Sequence, residues 1–280
     1  MSGVRIVTDS SCDLPQPLVD EFALRVVPLT IRFGEEEFVD RVELSAAQFY
    51  EKMASVNFLP ETAAPSPGAF EEAFTAMADD GADAVVCINL SSSLSATMAS
   101  AQNAARALEG KIDVRVVDSR SITGGLGGQI IEAAKAAADG RTADDIVALV
   151  EDLATRTHVF GALDTLENLK RGGRIGGAQA MLGTMLSIKP IIDISTGVVE
   201  EAAKQRTRRK AMVWLRERFL EAGPVQNLSV CHGMAPDLAD FKAVLAEKID
   251  LSTARDDTVV GATIGAHGGP RILGLTWQQA

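Results

Sequence analysis

The stretch ADAVVCINL, residues 82–90, running into SSSLSATMASAQNAARAL, residues 91–108, decides the fold. The first segment is a continuous apolar run. Strands of that pattern are covered on both faces, as in a parallel sheet flanked by helices. The second segment is rich in hydroxyl residues at its start and then takes helical periodicity. A buried strand feeding a helix through a polar turn is the repeating unit of an α/β fold.

The same alternation extends outward on both sides. VRIVTDS (4–10) reads as a short buried strand and PQPLVDEFA (15–23) as a helix with proline in its first turn. LRVVPLTIRF (24–33) reads as one strand, and GEEEFVD (34–40) as a turn into another. SAAQFYEKMAS (45–55) is a helix with Ser45 as N-cap. After the extended ETAAPS (61–66), Ser66 caps a helix over 67–80 with Pro67 in its first turn. DVRVVDS (113–119) reads as another buried strand. SITGGLGGQIIEAAKAAAD (121–139) is glycine-rich and then helical, and Thr142 and Asp145 form a capping-box variant for a helix to about 156. This pattern predicts a parallel, Rossmann-like sheet flanked by helices in an N-terminal domain, residues 1–160.

The second half has a different texture and is expected to form a C-terminal α/β domain, residues 161–280. VFGAL (159–163) is a strand. DTLENLKRGG (164–173) is a short helix with Asp164 as cap and Gly172 as stop. GAQAMLGTML (177–186) is expected to be helical. IKPIIDIS and VVEEAAK pair as a hairpin about Thr196 and Gly197. A basic helix follows over 206–220, in a stretch carrying Lys204, Arg206, Arg208, Arg209 and Lys210. QNLSVCH (226–232) is a strand, PDLADFKAVLAEK (236–248) a helix, and Thr258 to Ile264 a strand-like run.

Composition narrows the function classes. The 280 residues carry a net charge of −11, and 5% are aromatic. A strongly acidic chain repels phosphates, and few aromatics leave no stacking platform, which argues against nucleic acid as a partner. No apolar run approaches the roughly 20 residues of a bilayer span, and MSGVRIVTDS has no apolar leader, so no membrane insertion and a cytoplasmic location are expected. Cys12, Cys87 and Cys231 are odd in number and match no metal spacing. Cys87 reads as core, and Cys12 as a loop residue with some exposure.

Ligands of open α/β sheets bind at the carboxyl ends of the strands. Four hydroxyl-rich segments are placed there: TDSSCD (8–13), TAAPSPG (62–68), SSSLSAT (91–97) and SRSITGG (119–125). Helix capping explains each alone. Together they suit a shared carboxylate or phosphate site. The chain has neither a Walker-type phosphate loop nor a G-x-G-x-x-G fingerprint, so nucleotide binding is poorly supported. Ser95 and His267 could pair as a serine esterase, but Ser95 lacks the G-x-S-x-G elbow. Arg174, among the glycines of KRGGRIGG (170–177), is either a solvated loop arginine or an oxyanion clamp. His267, in TIGAHGGPRILGLTW (263–277), is either a turn histidine or a ligand holder.

Read in order, TDSSCDLP, TAAPSPGAF, SSSLSAT, DSRSITGGLG, LDTLENLKRGGRI, QRTRRKA and GAHGGPRILGL resemble the DegV family over essentially the whole chain. The resemblance implies a two-domain protein that holds one long-chain fatty acid, such as palmitate, stearate or oleate, in a hydrophobic tunnel between the domains. It implies no catalytic residues, cofactor or metal of its own. A separate ATP-binding fatty acid kinase subunit would phosphorylate the bound carboxylate to an acyl phosphate for phospholipid synthesis. Carried over by motif, Thr62, Ser95 and His267 would hold the carboxylate. Arg174 and Arg206 would serve kinase docking or phosphoryl transfer. The chain departs from the family pattern at Ala63-Ala64, where Ser-Gln is frequent, and at Ala96, where Gly is frequent. A lipid carrier or regulator without a kinase is the competing reading, and the serine esterase is the third.

Overall fold

A computed structural model describes residues 3–182 and 188–280. The strands run β1 (Val4–Asp9), β2 (Arg25–Val27), β3 (Thr30–Phe33), β4 (Glu36–Val39), β5 (Glu61–Ala63), β6 (Ala84–Asn89), β7 (Asp113–Asp118), β8 (Thr157–Ala162), β9 (Lys189–Asp193), β10 (Glu200–Gln205), β11 (Val225–His232), β12 (Thr258–Val259) and β13 (Leu273–Gln279). The helices are α1 (Gln16–Glu21), α2 (Ala46–Ser55), α3 (Pro67–Asp79), α4 (Thr97–Ala107), α5 (Thr123–Ala138), α6 (Ala143–Arg156), α7 (Glu167–Arg171), α8 (Arg208–Leu220), α9 (Leu238–Ala246) and α10 (Ala262–Gly268).

The N-terminal half builds a parallel sheet of order β2-β1-β6-β7 flanked by helices. Every residue of β6 is buried, as its unbroken apolar run requires. DVRVVDS departs from expectation: β7 is the sheet edge, and its residues alternate between exposed and half-buried until Val117. The helix starts follow the hydroxyl signals. Ser45 and Thr142 each form a complete capping box, and Ser66 accepts from the backbone of Ala69 ahead of Pro67.

LRVVPLTIRF is two strands in two sheets. Pro28 has no N–H to give a ladder and breaks the run. β2 stays in the parallel sheet, while β3 crosses to a small antiparallel sheet of order β4-β3-β5. That third sheet carries Thr62 on β5.

The second half forms a six-stranded sheet of order β10-β9-β8-β13-β11-β12, antiparallel except for the β11–β12 pair. One face packs on α8 and α9 through Phe160, Leu215, Phe241, Leu275 and Trp277. The opposite face shares a core with the first half, in which Ile6 and Leu90 join Val159, Ile192 and Cys231. Helix α5 lies between β1 and this sheet. Its glycines allow the approach: a Cβ on Gly124 would lie 2.8 Å from Thr276 Oγ1 and 2.9 Å from Cys231 Sγ.

Four further expectations are corrected. Asp164 is not a cap, because α7 starts at Glu167; its carboxylate instead takes Lys189, Arg208 and Arg271 as ion-pair partners. The expected helix over 177–186 is a 3-10 turn at Gly176–Met181, and residues 183–186 of it lie outside the described residues. Lys204 lies on β10 and Arg206 ahead of α8, whose own Arg208 is tied to Asp237, so the basic stretch is not one helix face. Cys12 is fully buried rather than partly exposed.

Candidate functional site

The run from Thr258 to Ile264 is a strand for two residues only. From Ala262 it turns into α10, and His267 stands in the last turn of that helix. Two side chains fix the helix in place. Thr263 Oγ1 donates to Asp40 Oδ2 at 2.8 Å, and Asn168 Nδ2 donates to the carbonyl of Ala266 at 3.2 Å. Gly269, with φ of 80°, ends it.

β5 brings Thr62 to this helix. Thr62 Oγ1 and His267 Nε2 are hydrogen-bonded at 2.9 Å. The other ring nitrogen, Nδ1, is buried without a partner among the described residues and lies directly over Gly172, where a Cβ would collide with it. Burial and then the Arg174 charge push the His267 pKa down to about 4. The imidazole is therefore neutral near pH 7, with one nitrogen free to donate or accept.

Ser95 lies half-buried in the turn between β6 and α4. Its Oγ pairs with Thr97 Oγ1 at 2.9 Å, and Thr97 N donates to it at 3.3 Å. Arg174 follows α7. Its Nε donates to the carbonyl of Leu94 at 3.1 Å and its Nη1 to that of Gly172 at 2.8 Å. Arg174 is itself exposed, and these bonds link the α7 loop to the Ser95 turn.

Thr62, Ser95, His267 and Arg174 line one cavity between the two halves. Most of the rest of its wall is apolar, with Leu90, Leu94, Ile122, Val159, Ile192 and Ile194 from the facing sides of the two halves, and Thr123, Thr263 and Thr276 interrupt it. A second, polar recess shares Thr62, His267 and Arg174 and adds Asn168, Arg171 and Glu61. The polar side chains therefore stand at the junction of an apolar chamber and a polar vestibule. Such a junction fits an amphiphile with a small polar head and a long apolar tail.

Of the sequence candidates, Thr62, Ser95, His267 and Arg174 come together. Arg206 does not: it is exposed and lines neither recess. TDSSCD is structural. Asp9 is buried and accepts from Ser11 Oγ, Asn89 Nδ2 and the Leu90 backbone, while Ser10 donates to Asp40. SRSITGG contributes Ile122 and Thr123 to the cavity wall. Asp40, Asn168, Arg171 and the Cys231 thiol in the cavity wall were not singled out from sequence for the site. No spacing marks them, since each meets it through contacts distant in sequence.

A nucleophilic pair needs its base beside the serine. Here His267 pairs with Thr62, Ser95 with Thr97, and His267 Nδ1 has no carboxylate partner among the described residues. No group of three potential metal ligands occurs among those residues either, and no helix among them is long and apolar enough to cross a membrane.

The chain matches the family model described as uncharacterised protein, DegV family, over residues 3–280. It is 37% identical over 278 residues to a DegV domain-containing protein of Streptomyces coelicolor, covering 97% of each. Among solved structures it is similar to a DegV family protein from Thermus thermophilus, described for its fatty-acid binding, with TM-score 0.90 and 32% identity over 99% of this chain and 100% of that one. It is also similar to a stearic-acid-binding protein from Eubacterium ventriosum, with TM-score 0.88 and 25% identity over 99% and 98%.

Proposed function

Because this chain belongs to the DegV family, we propose that it binds one long-chain fatty acid in the cavity between its two halves, which meet at β8 near residue 160, and presents the carboxylate to a separate ATP-dependent kinase subunit. The observation that carries this reading is the pairing of an apolar chamber with the neutral trio Thr62, Ser95 and His267 at its polar end. Relatives described as binding fatty acids support it.

The energetics are favourable. Burying about 15 carbons of a C16 chain at ~0.8 kcal/mol each gives roughly 12 kcal/mol gross. Ordering the chain and desolvating its head reduce this substantially. The tail therefore dominates affinity, and the head needs orientation more than strength. Hydroxyls and a neutral imidazole supply that without burying a counter-charge, whose desolvation would offset its attraction.

In this reading the protein performs no chemistry itself. The vestibule exposes the carboxylate beside Arg174, where a cation offsets the charge of an incoming phosphoryl group. Arg206, exposed ahead of α8, belongs to the docking surface for the kinase subunit. The acyl phosphate then leaves for phospholipid synthesis, all in the cytoplasm, where ATP is at hand.

The test is to denature the purified protein and identify released small molecules by mass spectrometry. About one C14–C18 fatty acid per chain supports the reading. A protein that carries none, and takes up no labelled palmitate, rejects it.

A further inference from the structure

Along β8, β13 and the residues next to them, every second position faces the cavity, while Phe160, Leu273 and Leu275 belong to the opposite core. The first cavity-facing row, Leu163 and Ile272, lies beside His267: a Cβ on Gly268 would stand 2.6 Å from Ile272 Cδ1 and 4.0 Å from Leu163 Cδ2. A later row pairs Val159 with Thr276. Between these two rows Gly161 pairs with Gly274, so for one row the wall carries no side chain. Ile192 of β9 and Cys231 of β11, the cross-strand neighbours of the two glycines, stand at either side of it. At strand spacing the bare row is about 7 Å beyond Ile272.

The two glycines have different causes. A Cβ on Gly274 would lie 2.7 Å from the carbonyl oxygen of Phe160, so the fold itself excludes a side chain there. A Cβ on Gly161 would meet only Ile192 among the described residues, at an ordinary 3.7 Å. Gly161 does not have the positive φ that favours glycine. Neither packing nor backbone conformation asks for glycine at 161. Glycine inside a strand forfeits side-chain packing, and in such a place it often marks the close approach of a ligand.

We propose that Gly161 is a specificity-determining residue: the bare row that it forms with Gly274 receives the bend of a cis-monounsaturated acyl chain, so that the protein selects such chains over straight ones. This rests on the fatty-acid reading above. A saturated or trans-unsaturated chain in its extended form runs straight and leaves the recess empty, and the wall atoms around it lose contacts on that side. A cis double bond displaces the chain sideways at one depth, and the recess gives room at one depth. Apolar pockets discriminate a difference of about one methylene by roughly tenfold or more.

The experiment is a competition. Delipidated protein is offered equimolar oleate and elaidate, which contain the same atoms and differ only in double-bond geometry. The bound lipids are extracted, separated by gas chromatography and quantified. The unaltered chain should retain oleate over elaidate by about tenfold. Gly161→Val fills the recess and should bring the ratio to parity or reverse it. Gly161→Ala, whose methyl makes an ordinary contact, should fold normally and give an intermediate ratio; thermal melts check the folding of both variants. Equal uptake of the two isomers by the unaltered protein, or a preference for elaidate, overturns the proposal, as does an oleate preference that survives undiminished in every folded variant. Failure to take up either lipid overturns the fatty-acid reading itself.

Discussion

Thr62 and His267 stand 205 positions apart in the chain, yet Oγ1 and Nε2 meet at 2.9 Å. One comes from a short strand of the small sheet, the other from the last turn of α10. Their meeting defines the head of the cavity. Thr62→Val and Ser95→Ala should each weaken fatty-acid binding by about tenfold or more, as expected when a hydrogen bond to a charged group is lost. Fluorescence competition with a labelled fatty acid measures this, and melting temperatures should change little.

Gly172 is what makes room for the imidazole. Its φ of −72° suits any residue, so Gly172→Ala carries no backbone strain. The added methyl would collide with His267 Nδ1. The variant should fold normally, displace the His267 ring resonances in NMR spectra, and lose affinity by at least an order of magnitude. A variant that binds as tightly as the unaltered chain would show that ring placement is unimportant.

Two buried groups tilt the pH profile in opposite senses. His267 titrates near 4, below its ordinary 6.5, because burial and Arg174 disfavour the charged ring. The unfolded chain binds the extra proton between those values, so this contribution is complete above pH 6.5 and is lost as pH falls toward 4. Asp13 titrates near 7, pushed up by burial and then by Asp40. Its folded form holds the extra proton, so stability declines as pH rises from about 4 toward 7. Denaturant titrations should show His267→Gln relieving the acid-side loss by a few kcal/mol. Asp13→Asn should stabilise at pH 8 and have little effect at pH 4.

The arginines separate binding from transfer. Arg174→Ala and Arg206→Ala should retain lipid at full occupancy. With the kinase subunit and ATP, both should form acyl phosphate at least tenfold more slowly, Arg206→Ala through weaker association. Hydroxylamine trapping of acyl phosphate reads this directly.

Much of the frame was legible because local signals agreed with the global fold. The apolar run of β6, the caps Ser45, Ser66 and Thr142, and the hairpin turn at Gly197 all read correctly. Pro28 was the overlooked punctuation: one residue without an N–H moved β3 into another sheet. The run from Thr258 misled for a different reason. A short apolar stretch cannot distinguish a buried strand from a buried helix, and the contacts of Asp40 and Asn168 favour the helix. The site was less legible. Periodicity gives no hint that Thr62 touches His267; the ordered motifs of a known family brought them together. The roles of Asp40 and Gly172 depend on contacts that no local pattern records.

The most direct measurement is a crystal structure of the protein with stearate bound. The account predicts carboxylate oxygens within hydrogen-bond distance of Thr62 Oγ1, Ser95 Oγ and the His267 ring, with the tail running past Ile192 and Val159 toward Thr276. A carboxylate seated elsewhere, or a tail directed into the polar vestibule, would contradict it.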